Sequence, residues 1–132
     1  MHQGVLNVFD HAENGYISAY RKTHSASNEF EIVVEYLASP NLENKTLLIV
    51  DPMLATGKSM VSVYETLQKL GKPKAIHVLS VLGAKEGFEH LNKKLPEDSH
   101  LWIAQIDEKL NDKGYIVPGL GDAGDLSFGP KL

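Results

Sequence analysis

The 132-residue chain contains no cysteine, which excludes disulfides, thiolate nucleophiles and cysteine-based zinc sites. It also lacks an excess of positive charge. Thirteen Lys and Arg stand against seventeen Asp and Glu, a formal net charge of −4, so the clustered basic surface of a nucleic-acid or anionic-membrane binder is missing. No apolar run reaches the roughly 20 residues of a transmembrane helix. The first residues carry no basic-then-apolar leader, and a reducing, cytoplasmic location is the expectation. The histidines His2, His11, His24, His77, His90 and His100 show no paired metal-ligand spacing and sit in no nucleophile motif, so no dedicated metal site is expected.

What is present is an ordinary globular composition, 42% hydrophobic and 23% charged, in a chain long enough to bury one core as a single domain. Met1 to Asp10 has the apolar spacing of a short amphipathic helix, although Gly4 interrupts its start. Gly15–Tyr20 reads as a strand, residues 21–29 as a loop or hairpin tip, and Phe30–Ala38 alternates as a half-exposed, antiparallel strand. Leu47–Val50 is a short buried strand. Ser59–Leu70 is helical, with Met60, Val63, Tyr64, Leu67 and Leu70 on one face and Gly71 and Pro73 as the stop. Ala75–Leu82 reads as a strand. Ala84, Phe88, Leu91 and Leu95 mark a helix that Pro96 ends, and Leu101–Ile106 is a further strand. Strands alternating with helices predict an α/β fold with a doubly wound, mostly parallel sheet and a small antiparallel hairpin element. From Asp107 onward the pattern has neither period. Tyr115–Asp125 is rich in glycine and acids, yet it keeps Tyr115, Ile116, Val117 and Leu120, which argues for a functional loop over disorder.

The stretch that organises the chain is Asp51-Pro-Met-Leu-Ala-Thr-Gly-Lys-Ser59. A strand feeds a small-residue turn that opens a helix, the usual way a parallel α/β protein builds an anion site from loop amides and a helix N-terminus. Gly57-Lys58-Ser59 invites comparison with a P-loop hydrolase, but that motif needs glycine at position 52, which is Pro52. An acid at the strand end followed by a Thr-Gly turn suits a phosphorylated ribose: the carboxylate can hold vicinal hydroxyls, and the hydroxyls and amides of the turn can hold a phosphate. An ordinary strand-to-helix turn with a capped helix is the plain alternative, and the loop alone leaves the two open. Adjacent Asp107 and Glu108 diverge at a strand end and are expected to be solvated.

Asp51 to Ser59 resembles the phosphoribosyl-diphosphate (PRPP) loop of the uracil phosphoribosyltransferases, which have Asp-Pro where most phosphoribosyltransferases have two acids, followed by Met-Leu-Ala-Thr-Gly. The segment Gly114-Tyr-Ile-Val-Pro-Gly-Leu-Gly-Asp-Ala-Gly-Asp125, with Phe128-Gly129 after it and Ile106–Asn111 before it, is similar to their uracil-binding segment. The resemblance covers essentially the whole chain. It implies the type I phosphoribosyltransferase fold over residues 1–132 and conversion of uracil and PRPP to UMP and diphosphate. A pyrimidine- or UMP-binding regulatory module without catalysis is the second possibility.

Carried over, the resemblance makes Asp51 and Arg21 the catalytic candidates. Asp51 would bind the ribose hydroxyls, and Ala55, Thr56, Gly57, Lys58 and Ser59 would wrap the 5-phosphate. Pro52, Met53 and Leu54 complete the PRPP loop. Arg21 would contact the donor's diphosphate. Ile116, Gly121, Asp122 and Ala123 would read uracil, with Asp122 also against PRPP. Lys58 stands where the family commonly has glycine. The resemblance further implies Mg2+ carried by the diphosphate, GTP as a candidate activator and a homo-oligomer of two or more chains. Glycine-rich backbone can approach the edge of uracil closely. Cytosine would be rejected because its exocyclic donor meets an N–H, leaving polar groups unpaired. Family members also carry a segment, ending in a strand with Arg-Ala-Gly-Leu, ahead of the point matching Met1. The expectation is therefore a C-terminal portion lacking its first central strand, with little activity alone.

Overall fold

The computed structural model describes residues 1–23 and 30–129. In chain order these form α1 (His2–Leu6), β1 (Tyr16–Thr23), β2 (Phe30–Ala38), β3 (Thr46–Val50), β4 (Met53–Leu54), α2 (Lys58–Leu67, running into a 3₁₀ turn at Gln68–Leu70), β5 (Ala75–Ala84), α3 (Lys85–Lys94), β6 (His100–Asp107), β7 (Lys109–Leu110), β8 (Ile116–Val117) and α4 (Ala123–Phe128).

The expected parallel sheet is present. β5 pairs in parallel with β3 on one side and β6 on the other. β4 continues along the β3 side of β5, with Met53 opposite Leu82 and Leu54 opposite Gly83. Alternation decides which face is covered. Leu47 and Ile49 of β3 and Ile76 and Val78 of β5 point to one side and are buried. The apolar faces of α2 (Met60, Val63, Tyr64, Leu67) and α3 (Leu91), with Leu95 just beyond, close over them into one core with Leu42 and Leu54. Val78 and Leu91 are wholly buried, and each such side chain removed from water is worth about 1.5–3 kcal/mol.

β1 and β2 form a separate antiparallel ribbon, with a register shift between Ser18 and Ala19. It packs on α2, with Ile17 and Leu37 against the core and Tyr16 paired with Tyr36 at 6.1 Å on its outer side. Among the described residues neither ribbon strand pairs with β3, whose far edge carries no neighbour. β1 runs three residues past its expected end at Tyr20, so residues 21–23, expected in the loop, are strand paired with β2; the rest of the expected tip, residues 24–29, lies outside the described residues.

Three further expectations change. The first helix is shorter than its spacing suggests: α1 covers five residues, buries none, and leaves Val8 and Phe9 exposed. Its apolar positions find no core to face, and a helix this short gains little by itself. The aperiodic tail is ordered, as a two-residue ribbon (β7 with β8) and the six-residue α4. Elements this short show neither period in sequence. They are held instead by side chains: Asn111 Oδ1 accepts from the amides of Lys113 (3.0 Å) and Tyr115 (2.9 Å), and Asp122 Oδ1 caps α4 by accepting from the Asp125 amide at 3.0 Å. Lastly, Asp107 is buried, not solvated. Its Oδ2 accepts from the Gly119 amide at 2.9 Å, tying the tail back to the end of β6. Glu108 is exposed as expected.

Candidate functional site

The carboxyl ends of β3, β4, β5 and β6 share one edge of the sheet: Leu54 faces Gly83, which faces Ile106. This is the edge at which open parallel sheets bind ligands. Two segments leave from it, the loop around Asp51–Ser59 and the tail that begins at Asp107.

The loop is fixed residue by residue. The Asp51 amide extends the β3 ladder to Leu79 O (3.1 Å). Its carboxylate Oδ1 accepts from the Met53 amide at 2.9 Å, closing an Asx turn over Pro52. Proline offers no N–H, and none is needed there. Its carbonyl accepts instead from the amides of Val81 (3.2 Å) and Leu82 (3.1 Å), so the turn is stitched to β5. Leu54 is buried beneath it. Met53–Leu54 is thus strand, not the glycine cradle that a P-loop requires.

The chain then turns into α2 through Gly57, at φ +75°. A Cβ there would adopt a strained backbone and meet Leu91 Cδ1 at 2.6 Å. A second glycine braces the loop from behind. Gly87 lies in α3, and a Cβ on it would sit 2.2 Å from Ala55 O, so α3 presses its bare backbone against the loop. Thr56 Oγ1 accepts a long bond from the Lys58 amide, 3.4 Å.

The result is a concavity of about 50 Å³ lined by Asp51, Met53, Leu54, Ala55, Thr56, Gly57, Ser59 and Met60. One carboxylate, two hydroxyls and the opening turn of a ten-residue helix therefore surround one small space. The first amides of a helix have no carbonyl partner one turn back and favour an anion. Burial holds the Asp51 carboxyl above its ordinary range, and the Met53 amide opposes this by favouring the ionised form.

Of the expected PRPP residues, Asp51, Met53, Leu54, Ala55, Thr56, Gly57 and Ser59 line this concavity, while Pro52 and Lys58 are exposed and do not. Arg21 lies in β1 opposite Ile32, and its side chain is outside the described part of the structure. Ile116, Gly121, Asp122 and Ala123 do not line it either; they lie in the tail. The Ile116 side chain is buried, which leaves its backbone as the part able to read a ligand. Gly121, at φ +83°, has open space where a Cβ would be.

The residues that motif reading passed over are Met60, Gly87 and Asp107. Met60 was assigned to the core face of α2 and also lines the concavity. Gly87 and Asp107 owe their roles to contacts across elements, which leave no local signal. Among the described residues no group of three or more His, Asp or Glu side chains is placed to hold a metal, and no helix is long and apolar enough to cross a membrane.

Comparison with known proteins bears on this arrangement. The family model for uracil phosphoribosyltransferase matches residues 1–130. The uracil phosphoribosyltransferase of Porphyromonas gingivalis is 47% identical over 131 residues, which is 99% of this chain and 60% of that protein. The Pyrococcus furiosus enzyme of the same name is 44% identical over 128 residues, 96% of this chain and 53% of its own. The chain thus spans roughly three fifths or less of the length of these curated relatives. A solved structure from Aquifex aeolicus superposes over 100% of this chain and 61% of its own, with a TM-score of 0.88 and 31% identity. A hypoxanthine phosphoribosyltransferase from Staphylococcus aureus, at 16% identity and a TM-score of 0.50 over 86% of this chain and 63% of its own, shares the fold.

Proposed function

The chain belongs to the uracil phosphoribosyltransferase family, and we propose from this that it transfers the phosphoribosyl group of PRPP to uracil, giving UMP and diphosphate. The observation that carries the reading is the concavity at Asp51–Ser59, where a half-buried carboxylate and the start of α2 face the same space. The Asp51 carboxylate accepts from the ribose hydroxyls. Thr56, Ser59 and the amides from Ala55 to Ser59 hold the 5-phosphate, whose charge suits the helix start. Arg21 reaches the diphosphate. The tail backbone at Ile116 and Gly121–Ala123 reads the uracil edge, and Asp122 lies between base and donor.

In the reaction a uracil ring nitrogen gives up its proton and bonds to the ribose anomeric carbon as the bond from that carbon to diphosphate oxygen breaks. The transition state has oxocarbenium character, so the protein's work is chiefly to position two reactants and exclude water. Mg2+ fits as an ion carried by the diphosphate, with Asp51 the one carboxylate at the concavity among the described residues, and when bound it would supply charge stabilisation to the leaving group. GTP activation and assembly into dimers or larger belong to the same proposal.

The test is formation of UMP from uracil and PRPP by the purified chain, beside Asp51→Asn. Loss of a hydrogen bond to a charged group is worth about 1.5–3 kcal/mol, so turnover should fall about tenfold to a hundredfold. Equal rates in the two proteins would overturn the assignment of Asp51. A pyrimidine-binding role without turnover is favoured by one observation, that among the described residues no Lys or Arg lines the concavity. Calorimetric binding of UMP with no product from PRPP would select it.

A further inference from the structure

α3 packs over β5, and the helix-facing side chains of β6 are covered less well: Leu101 and Ile103 are only half-buried. The chain passes from α3 to β6 through a tight turn, in which the Ser99 amide donates to Pro96 O at 2.9 Å. Between the outer flank of α3 and the start of β6 lies a concavity of about 240 Å³, lined by Phe88, Asn92, Ser99, His100, Leu101 and Trp102. It shares no residue with the concavity at Asp51–Ser59. Its walls are rich in rings, and two of them are already oriented. The Trp102 indole N–H donates to His77 Nδ1 at 3.1 Å, and His77 stacks on His100 at 4.8 Å. Trp102 is nonetheless 59% exposed. Side chains fixed in this way lose little freedom when a ligand arrives.

The polar members of the lining narrow the ligand. The Ser99 hydroxyl is shielded from solvent and has no hydrogen-bond partner among the described residues, whereas shielded polar atoms are nearly always paired. Asn92 adds both a donor and an acceptor. Among the described residues no Lys, Arg, Asp or Glu lines the space, so nothing there answers a phosphate or a carboxylate. The volume lies below the roughly 300–1,000 Å³ of pockets for drug-sized ligands, which suits one ring or two fused rings. We propose that this concavity is a binding site for an uncharged, planar nitrogen heterocycle of the size of a free nucleobase. The ligand's flat face lies against the rings of Phe88 and Trp102, and its edge bonds to the Ser99 hydroxyl and the Asn92 carboxamide. The inference goes beyond the transfer reaction and uses none of the residues assigned to it.

Trp102 is the sole tryptophan of the chain, so its indole N–H gives one resonance in a proton–nitrogen correlation spectrum. The probe is adenine, which is planar and uncharged at neutral pH. Titrated into the chain, it should move that resonance and the amides of Asn92 and Ser99 saturably, with a Kd of about 1 mM, within reach of a ligand of about ten heavy atoms. Ser99→Ala should weaken binding about fivefold to tenfold, the worth of one hydrogen bond, with a melting temperature no lower than the parent's because the hydroxyl has no partner to lose. Phe88→Leu keeps an apolar wall without its ring and should weaken binding about threefold or more. Cyclohexanol, apolar but not planar, should leave the Trp102 resonance in place. The proposal is overturned by the absence of a saturable shift, by an equal response to cyclohexanol, or by binding that neither variant weakens. It is equally overturned if adenine moves the amides of Thr56 and Gly57 and leaves Trp102 in place, since that puts the ligand at the other concavity. UMP formation is not read, so failure here leaves the assignment of Asp51 untouched.

Discussion

Asp51 combines two demands that oppose one another. In the proposed role it must be ionised to hold ribose hydroxyls, and it sits where burial favours the neutral form. A carboxyl whose folded pKa is raised binds more protons folded than unfolded between the two values, so its contribution to stability falls as pH rises through that window. Donor binding of the kind proposed has the opposite slope and strengthens as the carboxylate forms. Asp51→Asn keeps an oxygen for the Met53 amide and removes the charge. We expect a melting temperature at neutral pH equal to or above that of the parent, together with weaker donor binding that no longer improves from acid to neutral pH; thermal melts and calorimetry across that range check both. Asp107 is the contrasting case. Asp107→Ala leaves the Gly119 amide without its acceptor at about 1–3 kcal/mol, so hydrogen exchange from about residue 115 to 121 should speed up, while Asp107→Asn should exchange like the parent. Asp51 was legible because its turn, its proline and the helix start are contiguous. Asp107 was not, since its partner is twelve residues further along a segment without period.

At the scale of elements, the strands and helices from β3 to β6 were legible to within a residue or two wherever alternation or helical spacing ran for four residues or more, whereas α1 proved half as long as its spacing suggested and β1 three residues longer. The pairs β7 and β8 and the helix α4 were not, because side-chain bonds at Asn111 and Asp122 define them more than hydrophobic periodicity does. The contact between α3 and the Asp51–Ser59 loop was equally hidden, since a glycine inside a helical pattern reads as a mere weak point. Gly87→Ala separates the two readings. Helix propensity alone favours alanine by about 1 kcal/mol. The new methyl would lie 2.2 Å from Ala55 O, and overpacking of that kind costs about 1–3 kcal/mol. The clash should win, with a melting temperature lower by several degrees and anion binding weakened further than the melt implies. A higher melting temperature would show that α3 and the loop are free to part.

For the molecule as a whole, sequence placed both segments of the proposed site in order but not in space. Sheet pairing brings the ends of β4, β5 and β6 into line, and that placement depends on register across thirty or more residues. The exposed face of the sheet was invisible for the same reason: Val81, Trp102 and Ile106 read as ordinary strand residues until α2 and α3 are seen packed on the opposite face. The two-residue strand β4 has a consequence for how the protein fails. Because Met53 and Leu54 are members of the β5 ladder and Pro52 O is bonded to it, the loop proposed to hold the donor has no melting event of its own. Heat should abolish ligand binding and far-ultraviolet ellipticity along one curve, and a protease should cut between Asp51 and Ser59 no sooner than it cuts within β5. Most loops that hold a substrate can loosen while their scaffold stands; this one goes when the sheet goes, so the working temperature of the site is the melting temperature of the fold.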